Sequence, residues 1–185
     1  MCSSDLNCHR RRSARLPARI DADGNLTPLF DQDRSRWDRA LVQQGLEYLN
    51  RSASGLEVSA YHVEAAIASA HVTSSSVAAT DWAAIVSLYD RLMSIAPSPV
   101  VALSRAIAIG ERDGPAQGLE ALAAMADRER LEAYPFYPAA MGEFELRRGQ
   151  SDAARDLFAR AASLARNPSE RRFFAARVEK ASGGA

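Results

Sequence analysis

Residues 80–114, TDWAAIVSLYDRLMSIAPSPVVALSRAIAIGERDG, decide the fold class. Trp82, Ile85, Val86, Tyr89, Leu92, Met93 and Ala96 recur at intervals of three and four, which puts them on one face of a helix. Pro97 ends that helix, Ser98 stands where an N-cap belongs, and Pro99 takes a first-turn position whose N–H would have no partner in any case. A connection this short implies two antiparallel helices lying back to back.

Moving outward, the hairpin recurs. Residues 137–148 (YPAAMGEFELRR) and 151–165 (SDAARDLFARAASLA) form a second pair, striped by Tyr137, Ala140, Met141 and Phe144 on one helix and by Ala154, Leu157, Phe158, Ala161 and Ala165 on the other. Gly114 and Gly149 each follow a charged helix end and are expected as left-handed C′ residues. Their spacing is close to the tetratricopeptide period of about 34 residues, and Ala102, Ala106, Ala140 and Ala154 permit close helix crossings. The expectation is an all-α chain, antiparallel hairpins stacked as a short tetratricopeptide-like α-solenoid. A helical bundle with coincidental spacing is the alternative.

Before the hairpin, residues 31–50 (DQDRSRWDRALVQQGLEYLN) predict an amphipathic helix with an acidic first turn that suits the helix dipole, its stripe marked by Trp37, Leu41, Leu46 and Leu49. Residues 56–72 predict another, with Tyr61, Ala65, Ile67, Ala68 and Val72 inward and His62 and His71 on opposite sides. Residues 73–80 read as a loop whose Thr80 or Asp81 caps the next helix. After it, residues 115–126 predict a short helix striped by Leu119, Leu122, Ala123 and Ala126. Residues 134–138 (YPFYP) are a rigid aromatic start to a helix. Residues 169–180 are a last helix that buries Phe173, Phe174 and Val178 and exposes Arg171, Arg172 and Lys180.

The ends are less informative. MCSSDL resembles a translated sequencing adaptor, so residues 1–8 are set aside and 1–19 are taken as disordered or as the truncated remnant of an upstream domain. Residues 20–30 read as a linker with an Asp-Gly-Asn turn, 31–181 as the helical domain and 182–185 as a frayed tail. DADGN (21–25) resembles the start of a calcium loop but lacks its later ligands and the Glu at the twelfth position.

Composition narrows the function. The chain carries 23 basic and 23 acidic residues, a balance unlike that of nucleic-acid-binding domains. No apolar run approaches the about 18 residues of a membrane span, and no signal peptide is visible, so a cytoplasmic location is expected. Cys2 and Cys8 form neither a disulfide framework nor a zinc site. With no nucleophile–base pair, phosphate loop or metal cluster, the expectation is a non-enzyme without cofactor or metal. The candidate contact residues are Asp31, Asp33, Arg34, Arg36, Trp37 and Asp38, too charge-dense for a simple amphipathic start and expected to dock an upstream domain, together with Arg105, Arg112, Glu143 and Arg147 as exposed positions on the array.

Taken in order, DQDRSRWDRAL (31–41), TDWAAIVSLYDRLMSIAPSPVVALSRAIAI (80–109) and ARNPSERRFFAARV (165–178) resemble the C-terminal extension of a group of bacterial extracytoplasmic-function-type RNA polymerase sigma factors, one that carries tetratricopeptide-like repeats. The resemblance spans residues 10–180, and RSARLPARIDADGN resembles the end of the domain that precedes the extension. It implies a part in transcription initiation. The domains that would contact promoter DNA and core polymerase have no room in this sequence. What the resemblance leaves is a regulatory interaction domain that binds its own upstream sigma domains, core RNA polymerase or a regulator, and neither nucleic acid nor membrane directly. A free-standing tetratricopeptide-like adaptor unrelated to transcription is the alternative.

Overall fold

The computed structural model describes residues 13–21, 27, 29, 31–52 and 58–183, leaving aside the side chains at 48 and 50–52. The readings of residues 1–12, of the Asp-Gly-Asn turn, of the start of the second predicted helix and of the last two tail residues lie outside these. The fold is all-α, with no strand among the described residues. The helices fall into two compact units, which divide between Pro97 and Ser98.

The first unit holds α1 (Leu16–Arg19), a 3-10 turn (Arg34–Arg36), α2 (Arg39–Ser52), α3 (Ala60–Thr73) and α4 (Trp82–Ile95). Its core pair is α3 with α4, with Val63, Ala65 and Ile67 buried on one helix and Ile85, Val86 and Leu92 on the other. Both helices are capped by their own sequence. Ser59 N–H donates to His62 Nδ1 (3.2 Å) at the start of α3, and Ala84 N–H donates to Asp81 Oδ1 (2.9 Å) at the start of α4. Tyr61 is exposed, contrary to the sequence reading.

The second unit runs α5 (Pro99–Asp113), α6 (Pro115–Ala123), a 3-10 turn (Arg128–Leu131), α7 (Phe136–Arg147), α8 (Ser151–Leu164) and α9 (Pro168–Ser182), each helix packed on the next. Ser98 caps α5 through Val101 N–H (3.1 Å) and Asn167 caps α9 through Glu170 N–H (2.9 Å), each followed by proline at the first helical position. One core gathers Leu103, Ala106, Leu122, Leu131, Ala140 and Phe144; others form around Phe174 and around Phe158.

These pairings revise the hairpin frame. The stretch 80–114 does contain two helices, but α4 has its partner in α3 and α5 has its partner in α6. Gly114 and Gly149 therefore hold equivalent places, each inside the turn of a helix pair, α5–α6 and α7–α8. Their conformations differ. Gly149 (φ 77°) ends α7 with Gln150 N–H on Glu145 O (2.9 Å) and Gly149 N–H on Leu146 O (3.0 Å), the double closure of a Schellman turn. Gly114, at φ 109° and ψ 165°, is extended in the region open to glycine and leads at once into Pro115.

Helix α6 is shorter than its pattern suggested. It stops at Ala123, leaving Ala123 and Ala126 exposed, and Asp127 turns the chain in the left-handed region (φ 55°) into the 3-10 turn that buries Leu131. No helix among the described residues is long and apolar enough to cross a membrane.

Candidate functional site

The charge-dense segment that opens the predicted first helix builds the most distinctive site. It is not helical from Asp31 as the periodicity suggested. Asp33 Oδ1 accepts from Ser35 N–H (2.9 Å) and Ser35 Oγ (2.6 Å), which fixes the 3-10 turn and draws the Asp33 carboxyl below its ordinary pKa. The chain then extends through Trp37 (φ −73°, ψ 139°), and Asp38 Oδ1 caps α2 by accepting Leu41 N–H (3.0 Å). Two short-range caps thus replace one acidic helix start.

The extended residue between the caps is the buried one. Trp37 is 5% exposed and lies close to two guanidinium groups, Arg34 at 5.2 Å and Arg15 at 5.9 Å from its ring centroid. Arg15 belongs to the segment around α1, whose Ala14 and Ala18 are buried. Asp38 N–H donates to Ala14 O (2.9 Å) and Arg15 Nε to Gln32 Oε1 (3.3 Å). Residues 14–19, assigned from the sequence to a segment before the helical domain, pack directly on residues 32–38.

Arg34 holds the neighbouring helix end through that helix's backbone. Its Nη1 donates to His71 O (3.0 Å) and Ser74 O (2.6 Å), carbonyls that the C-terminal end of α3 leaves unsatisfied. His71 packs edge-on against Trp82 (5.4 Å, 69°), whose indole N–H donates to Val77 O (3.2 Å). Burial, then the nearby charges of Arg15 and Arg34, push the His71 imidazole down to about 4, so it is neutral at pH 7. Two buried polar atoms, Trp37 Nε1 and His71 Nδ1, have no hydrogen-bond partner among the described residues.

A half-open cleft of about 700 Å³ lies between this segment and the end of α3. Arg34, Trp37 and Arg39 line one side with Val42 and Leu46, and Val72, Val77 and a run of hydroxyls from Thr73 to Ser76 line the other. That volume falls within the range of about 300–1,000 Å³ typical of small-molecule sites. No group of three or more metal-ligating side chains occurs among the described residues.

The sequence-predicted contact residues are therefore brought together only in part. Asp33, Arg34, Trp37 and Asp38 meet in one framework, while Asp31 and Arg36 are exposed beside it. Arg105, Arg112, Glu143 and Arg147 belong to the second unit, and they are not the uniformly exposed set expected from sequence. Arg105 and Glu143 are half-buried. Arg112 pairs with Asp113 (2.8 Å), Glu143 with Arg177 (2.9 Å) and Arg147 with Glu111. Sequence reasoning missed Arg15, His71 and Ser74, because nothing local ties them to Arg34, which stands 40 residues before Ser74.

The model of a family of unknown function (DUF6596) matches residues 10–53, the stretch that contains α1, Trp37 and α2. An uncharacterized protein of Rhizobium meliloti (strain 1021) is 38% identical over 159 residues, covering 85% of this chain. The chain spans 37% of that curated relative's length. No solved structure matches.

Proposed function

We propose that this chain is a regulatory protein-interaction domain of a bacterial extracytoplasmic-function-type sigma factor, acting in transcription initiation through contacts with upstream sigma domains, core RNA polymerase or a regulator. The observation that carries the reading is the ordered set of motifs at 31–41, 80–109 and 165–178. Residues in all three set the helix boundaries: Asp33 and Asp38, Asp81 and Ser98, and Asn167. The all-α fold of successive helix pairs supports it, since stacked pairs offer surfaces suited to a peptide or a helix. The match to a longer relative fits a part played within a larger protein. A cytoplasmic location follows from the reading, and the chain itself is assigned no catalysis and no direct contact with nucleic acid.

Deleting the counterpart of residues 31–185 from a full-length relative tests this. A changed output from its target promoter in a reporter strain supports the reading, and an unchanged output defeats it. Capture of core polymerase by this chain joined to a sigma region, and not by the chain alone, would make the domain a dependent appendix. The adaptor alternative predicts no effect of the deletion on transcription.

A further inference from the structure

The cleft of the first unit contains two groups that its own walls leave incompletely served. The Trp37 indole N–H is buried and has no acceptor among the described residues, an unfavourable state for a buried donor. Arg34 is partly buried, and both of its hydrogen bonds, made through Nη1, go to neutral carbonyls. Its charge meets no carboxylate ion pair among the described residues, and burial lowers its pKa as it does for a cation without a counter-charge. Arg39 adds a second guanidinium to the same lining, whereas the one acidic group among its described residues, Asp33, is engaged with Ser35. Beyond the cations Val42, Leu46, Val72 and Val77 give the walls apolar surface beside the hydroxyls of Thr73 to Ser76.

We propose that this cleft binds a small organic anion, a carboxylate on a short aliphatic tail. Its charged oxygens face Arg34, Arg39 and the Trp37 N–H, and its tail lies along the valine and leucine walls. The carboxylate supplies the missing acceptor and the missing counter-charge together, and the tail displaces water from apolar surface. The inference goes beyond the protein-interaction reading and makes the first unit a ligand-binding module.

Sodium octanoate, at concentrations below micelle formation, is the probe, titrated into the full chain and followed by calorimetry and tryptophan fluorescence. Parallel titrations use 1-octanol and inorganic phosphate. Saturable octanoate binding is expected, with octanol and phosphate each at least about tenfold weaker. Arg39 is exposed, so Arg39→Gln is expected to keep its helical circular dichroism and to weaken octanoate roughly tenfold, the equivalent of one charge-assisted contact. Trp37→Phe is expected to weaken it similarly. No saturation, an octanol or phosphate affinity equal to that of octanoate, or undiminished octanoate binding by Arg39→Gln overturns the proposal. The promoter assay is a separate readout, so this proposal and the sigma-factor reading fail independently.

Discussion

Arg34 and Ser74, 40 residues apart, are joined by a 2.6 Å hydrogen bond from a guanidinium nitrogen to a carbonyl oxygen, and the same nitrogen holds His71 O. The bond ties the turn before α2 to the chain as it leaves α3. Arg34 was grouped from the sequence with Arg36 as a docking residue, and the structure separates the two. Arg34→Ala removes two charge-assisted bonds and the cation above Trp37. It is expected to destabilise the first unit by about 2–3 kcal/mol in urea titration. Arg36→Glu is expected to leave the urea midpoint nearly unchanged. Equal losses from the two substitutions would contradict this division.

His71 gives the first unit an acid limit. Its imidazole titrates near 4 when folded, against 6.5 for the ordinary group, so the unfolded chain binds more protons between those values. Stability is therefore full above about pH 6.5, falls as the pH drops through this window, and has lost the whole contribution below about 4. The loss amounts to roughly 3–3.5 kcal/mol at most. His71→Asn is expected to flatten the stability–pH curve between pH 4 and 6.5 in thermal melts, and a curve of unchanged slope would show that another group dominates.

How much of this was visible beforehand follows from the range of each interaction. Caps and turns were legible because Asp81, Ser98, Pro99 and Asn167-Pro168 act on residues within a turn of themselves. Helix faces were mostly legible for the same reason, since Ile85, Val86 and Leu92 repeat at the helical period. Pairing was not. The period between Gly114 and Gly149 is real, but the sequence does not say whether a glycine closes one hairpin or opens the next. The site fared similarly: Asp33, Arg34, Trp37 and Asp38 stood out by charge density, whereas their partners at Ala14, His71 and Ser74 are set by tertiary contact alone.

Two glycines in the second unit separate space from conformation. A Cβ at Gly118 would lie 2.5 Å from Phe144 Cε2 and 2.9 Å from Gly110 Cα, so neither a ring at the centre of the core nor a backbone could give way cheaply. Gly118→Ala is expected to cost about 2–3 kcal/mol through overpacking, despite alanine's better helix propensity. At Gly149 nothing lies within 4 Å, and the cost of alanine is the positive φ alone, about 1–2 kcal/mol. A Phe144→Leu background is expected to relieve the ring's share of the first penalty, leaving the Gly110 backbone contact, and none of the second, as a double-mutant cycle by chemical denaturation would show.

Glu143 and Arg112 were read alike as exposed contacts, yet their surroundings give them different consequences. Arg177 is only 13% exposed at its side chain, and its guanidinium meets Glu143 at 2.9 Å and lies 5.5 Å from the Phe173 ring, linking α7 to α9. Glu143→Ala leaves that guanidinium half-served, so a loss of about 1 kcal/mol is expected together with any effect on partner binding. Arg112 pairs with its neighbour Asp113 at the solvent-facing end of α5, where an exposed pair contributes little. Arg112→Ala is expected to change the unfolding free energy by less than about 0.5 kcal/mol. In a full-length relative, lower promoter output from the Arg112 substitution therefore identifies a partner contact. The same result at Glu143 does so only when Arg177→Met, which breaks the same ion pair but keeps Glu143's carboxylate in the chain, leaves output intact. If both Glu143→Ala and Arg177→Met lower it in step with stability, Glu143 acts through the fold.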